Sequence, residues 1–255
     1  MTRPLVIAHR GAPLQEPENT IASFSLALRE GADMIEVDVR TTADGRLVAF
    51  HDETLERMAK DPRSLSVVTF EGMSRIPLEG GGRVPLLEEV FSLGCRVMLD
   101  VKAADAGTVI GLLDRIGARG RTWLCAFEDA FLTRARELGA APLGYLIRPG
   151  TMFTELEGMQ ARPGGLGFVL DPVGLEKMVE IESLRIPKGS MLNLPHFMMV
   201  NEPEFARRLV AHFHEVGVKI NVWTVNDGQE ARALASAGVD GIITDRPAVI
   251  VKALG

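Results

Sequence analysis

Short apolar runs alternate with amphipathic stretches along the whole chain. Apolar runs of strand length occur at ten places, 5–8, 34–39, 47–51, 96–101, 122–126, 143–147, 166–170, 190–194, 218–224 and 240–244, and they predict β-strands. The amphipathic stretches predict helices at 20–30, 86–93, 106–117, 128–138, 202–216, 227–236 and 246–253. The stretch at 202–216 is the clearest, because Phe205, Leu209 and Phe213 recur on one helical face.

This alternation predicts the fold class. Strands that alternate with helices over 255 residues indicate a parallel sheet covered by helices. A closed eight-stranded barrel and an open doubly wound sheet both fit. No Gly-x-Gly-x-x-Gly follows the first strand, and the candidate polar residues are spread over many strands, so we favour a single-domain, TIM-type (β/α)8 barrel. Because ten runs exceed eight, we predict that two of those between residues 143 and 194 lie outside the ring.

The polar stretch at 52–85 interrupts the strand–helix rhythm, and its end is rich in Gly and Pro. Loops of this length usually form lids or binding elements, or carry short structure of their own. No shift in composition marks a second domain. We therefore predict a loop insertion within one domain that spans residues 1–255.

Composition and charge narrow the class of protein. With 46% apolar and 24% charged residues, the chain has the balance of a soluble globular protein. The net charge of −6 argues against non-specific nucleic-acid binding. Cys95 and Cys125 lie in no metal-binding or redox spacing and are expected to be structural thiols. Without a signal peptide or a membrane-spanning run, we expect a cytoplasmic protein that makes no stable membrane insertion.

Polar side chains stand at the ends of several strand-like runs. Glu36 and Asp38 are two positions apart in one run, so they project from the same face of the strand. Two carboxylates on one strand end predict a site for a hard cation. His9 and His51 each follow another apolar run. Together these residues predict metal-assisted acid–base chemistry on a phosphate ester.

Further residues fit the same chemistry. Asp100 and Lys102 share one face of the run VMLDVK and offer a third oxygen ligand and an ammonium group for a phosphate oxygen. Arg10 adds a second cation beside His9, and Trp223 is positioned to wall a small polar substrate. Each residue alone has a structural interpretation, as a bonded histidine, a surface charge or a core tryptophan. If all of these residues were structural, a separate explanation would be needed at each of four strand ends, whereas one active site explains them together.

Three polar residues near these positions are expected to have structural roles. Asp52 follows His51 and is expected to form a turn or a cap rather than to bind a ligand. Asn19 and Thr20 precede a predicted helix, and both are suited to cap its N-terminus.

These residues stand within a larger set of motifs. They read His9-Arg10-Gly11, Pro17-Glu18-Asn19-Thr20, Gly31 to Val39, Asp44 to Asp52, Leu55-Glu56-Arg57, Val84 to Val90, Val222 to Asn226 and Gly241 to Asp245. The set resembles the glycerophosphodiester phosphodiesterase family, closely over the first hundred and last forty residues and weakly between them.

The resemblance implies a TIM-type barrel that hydrolyses glycerophosphodiesters to sn-glycerol 3-phosphate and an alcohol. It also implies a divalent cation, commonly Mg²⁺ or Ca²⁺. By this resemblance, His9 and His51 become the general acid–base pair, and Arg10 and Lys102 contact the phosphate. The metal ligands would be Glu36, Asp38 and Asp100. The family usually has Glu at the position of Asp100, so the ion must lie closer to that strand or be reached through water.

Two other functions remain open at this point. One is a lysophospholipase D-like or sphingomyelinase D-like enzyme that acts on acyl-bearing phosphodiesters. This function is suggested by the apolar residues 197–200, Val67, Val68 and Phe70, which are predicted to form an apolar lip beside the pocket. The other is a barrel that binds a phosphate ligand without catalysis, because fold does not fix function. The sequence does not say which histidine is the acid, which alcohol leaves or what the oligomeric state is.

Overall fold

Eight parallel strands close into a barrel in the computed structural model, which describes residues 3–140, 142–146, 186–200 and 203–255. Its strands are β1 (Leu5–His9), β2 (Met34–Thr41), β3 (Leu47–Ala49), β4 (Val97–Ala103), β5 (Thr122–Ala126), β6 (Leu143–Leu146), β7 (Met191–Pro195), β8 (Lys219–Trp223) and β9 (Gly241–Thr244). All but β3 belong to the ring. Strand β1 pairs with both β2 and β9, which closes it. The predicted TIM-type barrel is confirmed.

Helices cover the outside of this ring. The helices of the described residues are α1 (Ile21–Arg29), α2 (Glu56–Ala59), α3 (Phe70–Ser74), α4 (Leu87–Phe91), α5 (Ala106–Arg115), α6 (Asp129–Glu137), α7 (Pro203–Glu215), α8 (Gly228–Ala237) and α9 (Pro247–Leu254), of which α2 and α3 belong to the segment 52–85. Helix α7 buries Phe205, Leu209 and Phe213, as its sequence periodicity predicted. No helix in the described ranges has the length and apolar character needed to cross a bilayer.

Side chains alternate between the two faces of each barrel strand. On β2, Ile35, Val37 and Val39 join the large hydrophobic core between the sheet and the helices. The barrel interior holds a smaller cluster, which consists of Ile7, Met34, Met98, Trp123, Cys125, Met191 and Ile243. This interior cluster fills the barrel below the C-terminal ends of the strands, so polar residues at those ends lie above an apolar floor.

The prediction of which runs lie outside the ring is wrong. Runs 143–147 and 190–194 form β6 and β7, and both belong to the barrel. The run at 47–51 instead forms β3, which pairs antiparallel with β2 outside the ring. The predicted strand at 166–170 lies outside the described residues. Val48 and Phe50 are apolar because they pack under the following segment, which a run of apolar letters does not distinguish from a ring strand.

Residues 52–85 pack against this hairpin with a hydrophobic cluster of their own. The segment contains α2, a 3₁₀ turn at Leu65–Val67 and α3. Its cluster consists of Val48, Phe50, Leu55, Leu65, Val68, Met73, Leu78 and Val84. Leu55 and Met73 are fully buried there. The segment is therefore held in a defined position beside the β2–β3 hairpin.

Candidate active site

A pocket of about 220 Å³ lies at the C-terminal ends of the barrel strands. Its lining residues are His9, Arg10, Glu36, His51, Met98, Asp100, Lys102, Cys125, Phe127, Leu146, Trp223 and Ile243. Seven of the eight predicted site residues are among them, and the eighth, Asp38, is buried next to Asp100 in the sheet. Residues that are far apart in the chain therefore converge on one pocket because parallel strands end at the same rim.

Three carboxylates meet on one side of this pocket. Glu36, Asp38 and Asp100 each offer an oxygen within 4.8 Å of the other two, and all three residues are buried. Asp38 and Asp100 are direct register partners on β2 and β4. Oδ1 of Asp100 is buried and accepts no hydrogen bond from any residue that the structure describes. A cluster of hard oxygen donors with an unused buried oxygen fits a divalent cation such as Mg²⁺ or Ca²⁺.

Two basic side chains border the carboxylates. Nε of Arg10 lies 3.0 Å from Oδ2 of Asp38, and the backbone N–H of Arg10 donates to Oε2 of Glu36 over 2.9 Å. Nζ of Lys102 lies 3.2 Å from Oδ1 of Asp38 and 2.5 Å from Oδ2 of Asp100. Both cations therefore contact carboxylates while they also line the pocket.

The charges of the three acids differ because their neighbours differ. Burial, followed by the charge of Asp38, raises the pKa of Glu36 to about 8. Burial also opposes ionisation of Asp38, but Arg10 and Lys102 outweigh it and hold the pKa of Asp38 below its ordinary value. Burial raises the pKa of Asp100 despite the nearby ammonium of Lys102. An added cation would favour ionisation of all three.

His9 is held by a carboxylate from the other end of the chain. Its Nδ1 lies 2.7 Å from Oδ1 of Asp245, which follows β9. The amide of Asn226 donates to Oδ2 of Asp245 over 2.8 Å and fixes that carboxylate. Burial disfavours the charged ring, but the bond to Asp245 and the nearby charge of Glu36 leave the pKa of His9 raised.

His51 reaches the pocket by a different route from the one that the sequence suggested. It does not end a barrel strand, because the antiparallel β3 hairpin folds the chain back toward the rim. The N–H of Phe50 donates to the carbonyl of Asp38, and Nε of Arg40 donates to the carbonyl of His51. Nδ1 of His51 lies 2.6 Å from Oδ1 of Asp52. Asp52 therefore has a further role beside the turn or cap that the sequence suggested, because its carboxylate contacts the imidazole of His51.

The two imidazoles have the same arrangement. In each, Nδ1 contacts a carboxylate. Within the described part of the chain, Nε2 of neither His9 nor His51 has a hydrogen-bond partner, and both residues line the pocket. Each ring can therefore exchange a proton with a bound molecule through Nε2 while its carboxylate fixes the ring and its tautomer.

Asn19 has a role that the sequence did not reveal. Thr20 caps α1 as expected, since its side chain accepts from the N–H of Ser23. The side chain of Asn19 instead donates to Oδ2 of Asp38 over 2.8 Å and accepts from the N–H of Asp38 over 3.2 Å. Its positive φ of 56° turns it toward β2. Asn19 therefore orients one of the clustered carboxylates.

Sequence reasoning also missed Asp245, Asn226, Glu18 and Arg57 as parts of the site. Asp245 and Asn226 directly follow apolar runs, so the pattern that identified Glu36 could have identified them as strand-end polar residues. Their contact with His9 depends on the pairing of β1 with β9. Glu18 and Arg57 lie in loops and a short helix, where no periodicity marks them.

The pocket also has apolar lining residues. They are Met98, Phe127, Leu146, Trp223 and Ile243. Trp223 is half-buried, and its indole Nε1 is buried without a hydrogen-bond partner among the described residues. Four residues of the predicted apolar lip lie elsewhere: Val68 and Met199 are buried in hydrophobic clusters, and Val67 and Phe197 are exposed. None of these four lines the pocket.

Known proteins share this sequence pattern and fold. The model of the "Glycerophosphoryl diester phosphodiesterase family" matches residues 9–138 and 187–249. A glycerophosphodiester phosphodiesterase of Caldanaerobacter subterraneus is 29% identical over 266 residues, which cover 97% of this chain and 96% of that protein. A lysophospholipase D of Homo sapiens is 23% identical over 265 residues, which cover 94% of this chain and 83% of that protein.

Among solved structures, an Oleispira antarctica phosphodiesterase in complex with the product sn-glycerol-3-phosphate has the same fold. Its TM-score is 0.72 at 22% sequence identity, and the match covers 98% of this chain and 96% of that chain. The family model spans well over half of the sequence and includes both histidines and all three clustered carboxylates. The predicted family and class of enzyme are therefore confirmed, and the chain belongs to the glycerophosphoryl diester phosphodiesterase family.

Proposed function

We propose that the chain hydrolyses small glycerophosphodiesters to sn-glycerol 3-phosphate and an alcohol, with His9 and His51 as the general acid–base pair. The observation that carries this proposal is the pair of carboxylate-anchored imidazoles on one pocket, His9 with Asp245 and His51 with Asp52. Hydrolysis of a diester needs one group that accepts a proton from the nucleophile and another that donates one to the departing alcohol.

The raised pKa of His9 suggests how the two roles are divided. A raised pKa favours the protonated ring, which can donate a proton to the leaving alcohol, so we assign His9 as the general acid. His51 then accepts the proton of the attacking hydroxyl through Nε2, while Asp52 holds Nδ1–H. Whether the attacking hydroxyl belongs to water or to the 2-position of the glycerol is left open by this assignment.

Glu36, Asp38 and Asp100 would hold a divalent cation, Mg²⁺ or Ca²⁺, which when bound stabilises negative charge on the phosphate. Arg10 and Lys102 can extend that stabilisation, because both line the pocket next to the acids. They would orient the phosphate and neutralise charge that grows on its oxygens.

The size and charge of the pocket support a small substrate. A volume of about 220 Å³ suits a phosphodiester head group, with its phosphate near the charged lining residues and one substituent against the apolar ones. Acyl-bearing phosphodiesters are the second candidate class, because a lysophospholipase D is among the relatives. Four residues of the predicted lip, Val67, Val68, Phe197 and Met199, do not line the pocket and so give that class no support.

Release of the phosphomonoester product tests the proposal directly: this product is sn-glycerol 3-phosphate from a deacylated substrate and lysophosphatidic acid from a lysolipid. The substrates are glycerophosphocholine, glycerophosphoethanolamine, glycerophosphoglycerol and a lysophosphatidylcholine, each with Mg²⁺, with Ca²⁺ and with chelator. We expect metal-dependent turnover of the deacylated substrates and slower turnover of the lysolipid. Phosphorus-31 spectra recorded during turnover would reveal a transient cyclic phosphate if the glycerol hydroxyl attacks first.

Histidine variants separate catalysis from binding. His9→Asn and His51→Asn should each lower kcat by about 10²- to 10⁴-fold. His214→Asn is a matched control, because His214 contacts Asp240 through a similar 2.7 Å bond but lies outside the pocket. An ester with a nitrophenol leaving group should restore turnover of His9→Asn but not of His51→Asn, since a nitrophenolate leaves without protonation. A wild-type protein that binds these diesters and turns over none of them would refute the proposal in favour of a binding barrel.

A further inference from the structure

We propose that Arg57 is a positioning residue that fixes His51 and Arg10 at the same time and so makes the insertion part of the active site. This inference rests on the proposed function, in which His51 moves a proton and Arg10 holds the phosphate. Arg57 does not line the pocket, so its effect must pass through the residues that it contacts.

The first of these is Asp52, the carboxylate behind His51. Nε of Arg57 donates to Oδ2 of Asp52 over 2.6 Å, and Nη2 donates to Oδ1 over 3.2 Å. Oδ1 is also the atom that contacts Nδ1 of His51 over 2.6 Å. Because Arg57 contacts both oxygens, it fixes the plane of the carboxylate and thereby the orientation of the imidazole.

The second contact is Glu18, in the loop after β1. Nη2 of Arg57 donates to Oε1 of Glu18 over 2.6 Å, and Nη1 donates to Oε2 over 3.1 Å. Oε1 also accepts from Nη1 of Arg10 over 3.1 Å. One guanidinium group therefore links the partner of a proposed acid–base residue to the partner of a proposed phosphate-binding residue.

The charges of this cluster depend on Arg57. Burial opposes ionisation of Asp52 and Glu18, and the bond to Arg57 is the largest influence that lowers the pKa of each. Without the guanidinium group of Arg57, Asp52 would lose its bonds to a cation, and Glu18 would keep only its bond to Arg10 among these contacts. Asp52 would then be free to change rotamer or to bind a proton, and either change would release Nδ1 of His51.

The backbone under Arg57 is well anchored. Leu55, directly before α2, is fully buried in the hydrophobic cluster of the insertion. The N–H of Leu55 donates to the carbonyl of Arg63, and the N–H of Ala59 donates to the carbonyl of Leu55. Helix α2 can therefore hold the Arg57 side chain in one place beside the rim of the barrel.

The contribution of Arg57 to stability should be small compared with its effect on catalysis. Its side chain is 47% exposed, and exposed ion pairs contribute little to the free energy of unfolding. Misplacement of a catalytic group by about 1 Å, by contrast, can lower a rate by about 10²-fold. If Arg57 had only a structural role, its removal would lower the free energy of unfolding strongly and kcat only slightly.

The test compares Arg57→Ala and Arg57→Lys with Arg63→Ala. Arg63 lies in the same insertion, is also exposed and contacts the carboxylate of Asp61. We expect Arg57→Ala to lower kcat for glycerophosphodiesters by about 10- to 100-fold, with a smaller change in KM. Arg57→Lys should be intermediate because an ammonium group cannot span both carboxylates. Arg63→Ala should keep the wild-type kcat, and added guanidinium ion should raise the kcat of Arg57→Ala several-fold.

Nitrogen-15 spectra of the histidines give a readout that does not depend on turnover. The signals that disappear in His51→Asn belong to His51. In the wild type these signals should show a proton on Nδ1, and in Arg57→Ala they should shift toward a mixture of tautomers. Unchanged His51 signals in Arg57→Ala overturn the inference even if the wild type hydrolyses none of the diesters. A loss of kcat that guanidinium ion does not restore, with a Tm far below that of Arg63→Ala, also overturns it.

Discussion

Nδ1 of His9 lies 2.7 Å from Oδ1 of Asp245, although 236 positions separate the two residues in the chain. The contact exists because β1 pairs with β9 where the barrel closes. Strand closure thus brings together an imidazole and a carboxylate that raises its proton affinity. Only the folded ring can supply this arrangement.

Asp245→Asn should change the tautomer of His9. The side-chain oxygen Oδ1 of Asn226 accepts from the backbone N–H of Asp245 and from Oγ1 of Thr244. The side-chain N–H₂ of Asn226 must therefore face the side chain at position 245. An asparagine there would accept from Asn226 and turn its own N–H₂ toward His9. Nδ1 of His9 would then be an acceptor, and the ring proton would lie on Nε2.

We expect two results for Asp245→Asn: a lower pKa of His9, because the anionic partner is lost, and a kcat lower by at least about 10-fold. Nitrogen-15 spectra and the pH dependence of kcat measure both. Asp240→Asn is the control, since Asp240 contacts His214 outside the pocket. An unchanged pKa of His9 in Asp245→Asn would show that Asp245 does not control that proton.

The stability of the metal-free protein should depend on pH through Glu36. The pKa of Glu36 is about 8 in the folded protein, against an ordinary value of 4.5. Between these values the folded state binds a proton that the unfolded state does not bind, so stability falls as the pH rises from about 4.5 to 8. Asp100, whose pKa is also raised, acts in the same direction.

Thermal unfolding in the presence of chelator measures this dependence. Glu36→Gln should flatten it, whereas Glu137→Gln, at an exposed residue on α6, should leave it unchanged. Mg²⁺ or Ca²⁺ should raise the Tm of the wild type more at pH 8 than at pH 6, because ionised carboxylates are the ligands. A wild-type Tm that rises between pH 6 and pH 8 in chelator would contradict the proposed protonation of Glu36.

Lys102→Met should affect cation binding and catalysis in opposite directions. The ammonium group of Lys102 contacts Asp38 and Asp100, two of the proposed metal ligands. Its removal leaves more negative charge for a divalent cation, so Mg²⁺ or Ca²⁺ should bind more tightly and raise the Tm by a larger amount. The value of kcat should fall, because a group proposed to stabilise the phosphate is lost.

Metal titrations by calorimetry and steady-state kinetics test both parts. Lys60→Met, at an exposed lysine that contacts Glu79, is the matched control and should change neither quantity. Weaker cation binding in Lys102→Met would indicate that Lys102 organises the carboxylates rather than competing with the cation.

Gly144→Ala should destabilise the barrel interior. A Cβ at this position would lie 2.3 Å from Sγ of Cys125 and 2.8 Å from Nδ2 of Asn193. Both neighbours are buried, so we expect a loss of about 1–3 kcal/mol in the free energy of unfolding. The additional change Cys125→Ala removes the closer contact and should recover part of the loss.

Gly111→Ala is the control for this substitution. Gly111 lies in α5, and a Cβ there would meet no atom of another described element within 4 Å. Alanine there should stabilise the protein by about 0.5–1 kcal/mol, because it reduces the freedom of the unfolded chain. Denaturant unfolding measures both variants. Equal effects at the two positions would contradict the close packing beside Cys125.

The sequence predicted the barrel and most of the site because both depend on local patterns. Alternating apolar runs indicate parallel strands, and parallel strands place their C-terminal residues on one rim. Glu36, Asp38 and Asp100 were found for this reason. Their convergence follows from the register of β2 with β4. The spacing of the apolar runs is compatible with this register but does not specify it.

Other parts of the site depend on contacts that no local pattern contains. His51 was recognised as a site residue, but its approach through an antiparallel hairpin was not, because an apolar run does not show the direction of its strand. The sequence neighbours of Asp52 and Asn19 predict turn or cap roles for both residues. Their partners, His51 and Asp38, are fixed by tertiary packing.

The pairing of β1 with β9 has a consequence for synthesis on the ribosome. The segment with His9 leaves the exit tunnel before the other strands of the ring, whereas β9 and Asp245 emerge after all of them. A nascent chain that is arrested before residue 241 would expose the unpaired edge of β1 and lack the anchor of one imidazole. Enzyme activity should therefore appear only after β9 has been made and has left the tunnel, and it can serve as a reporter of complete barrel assembly.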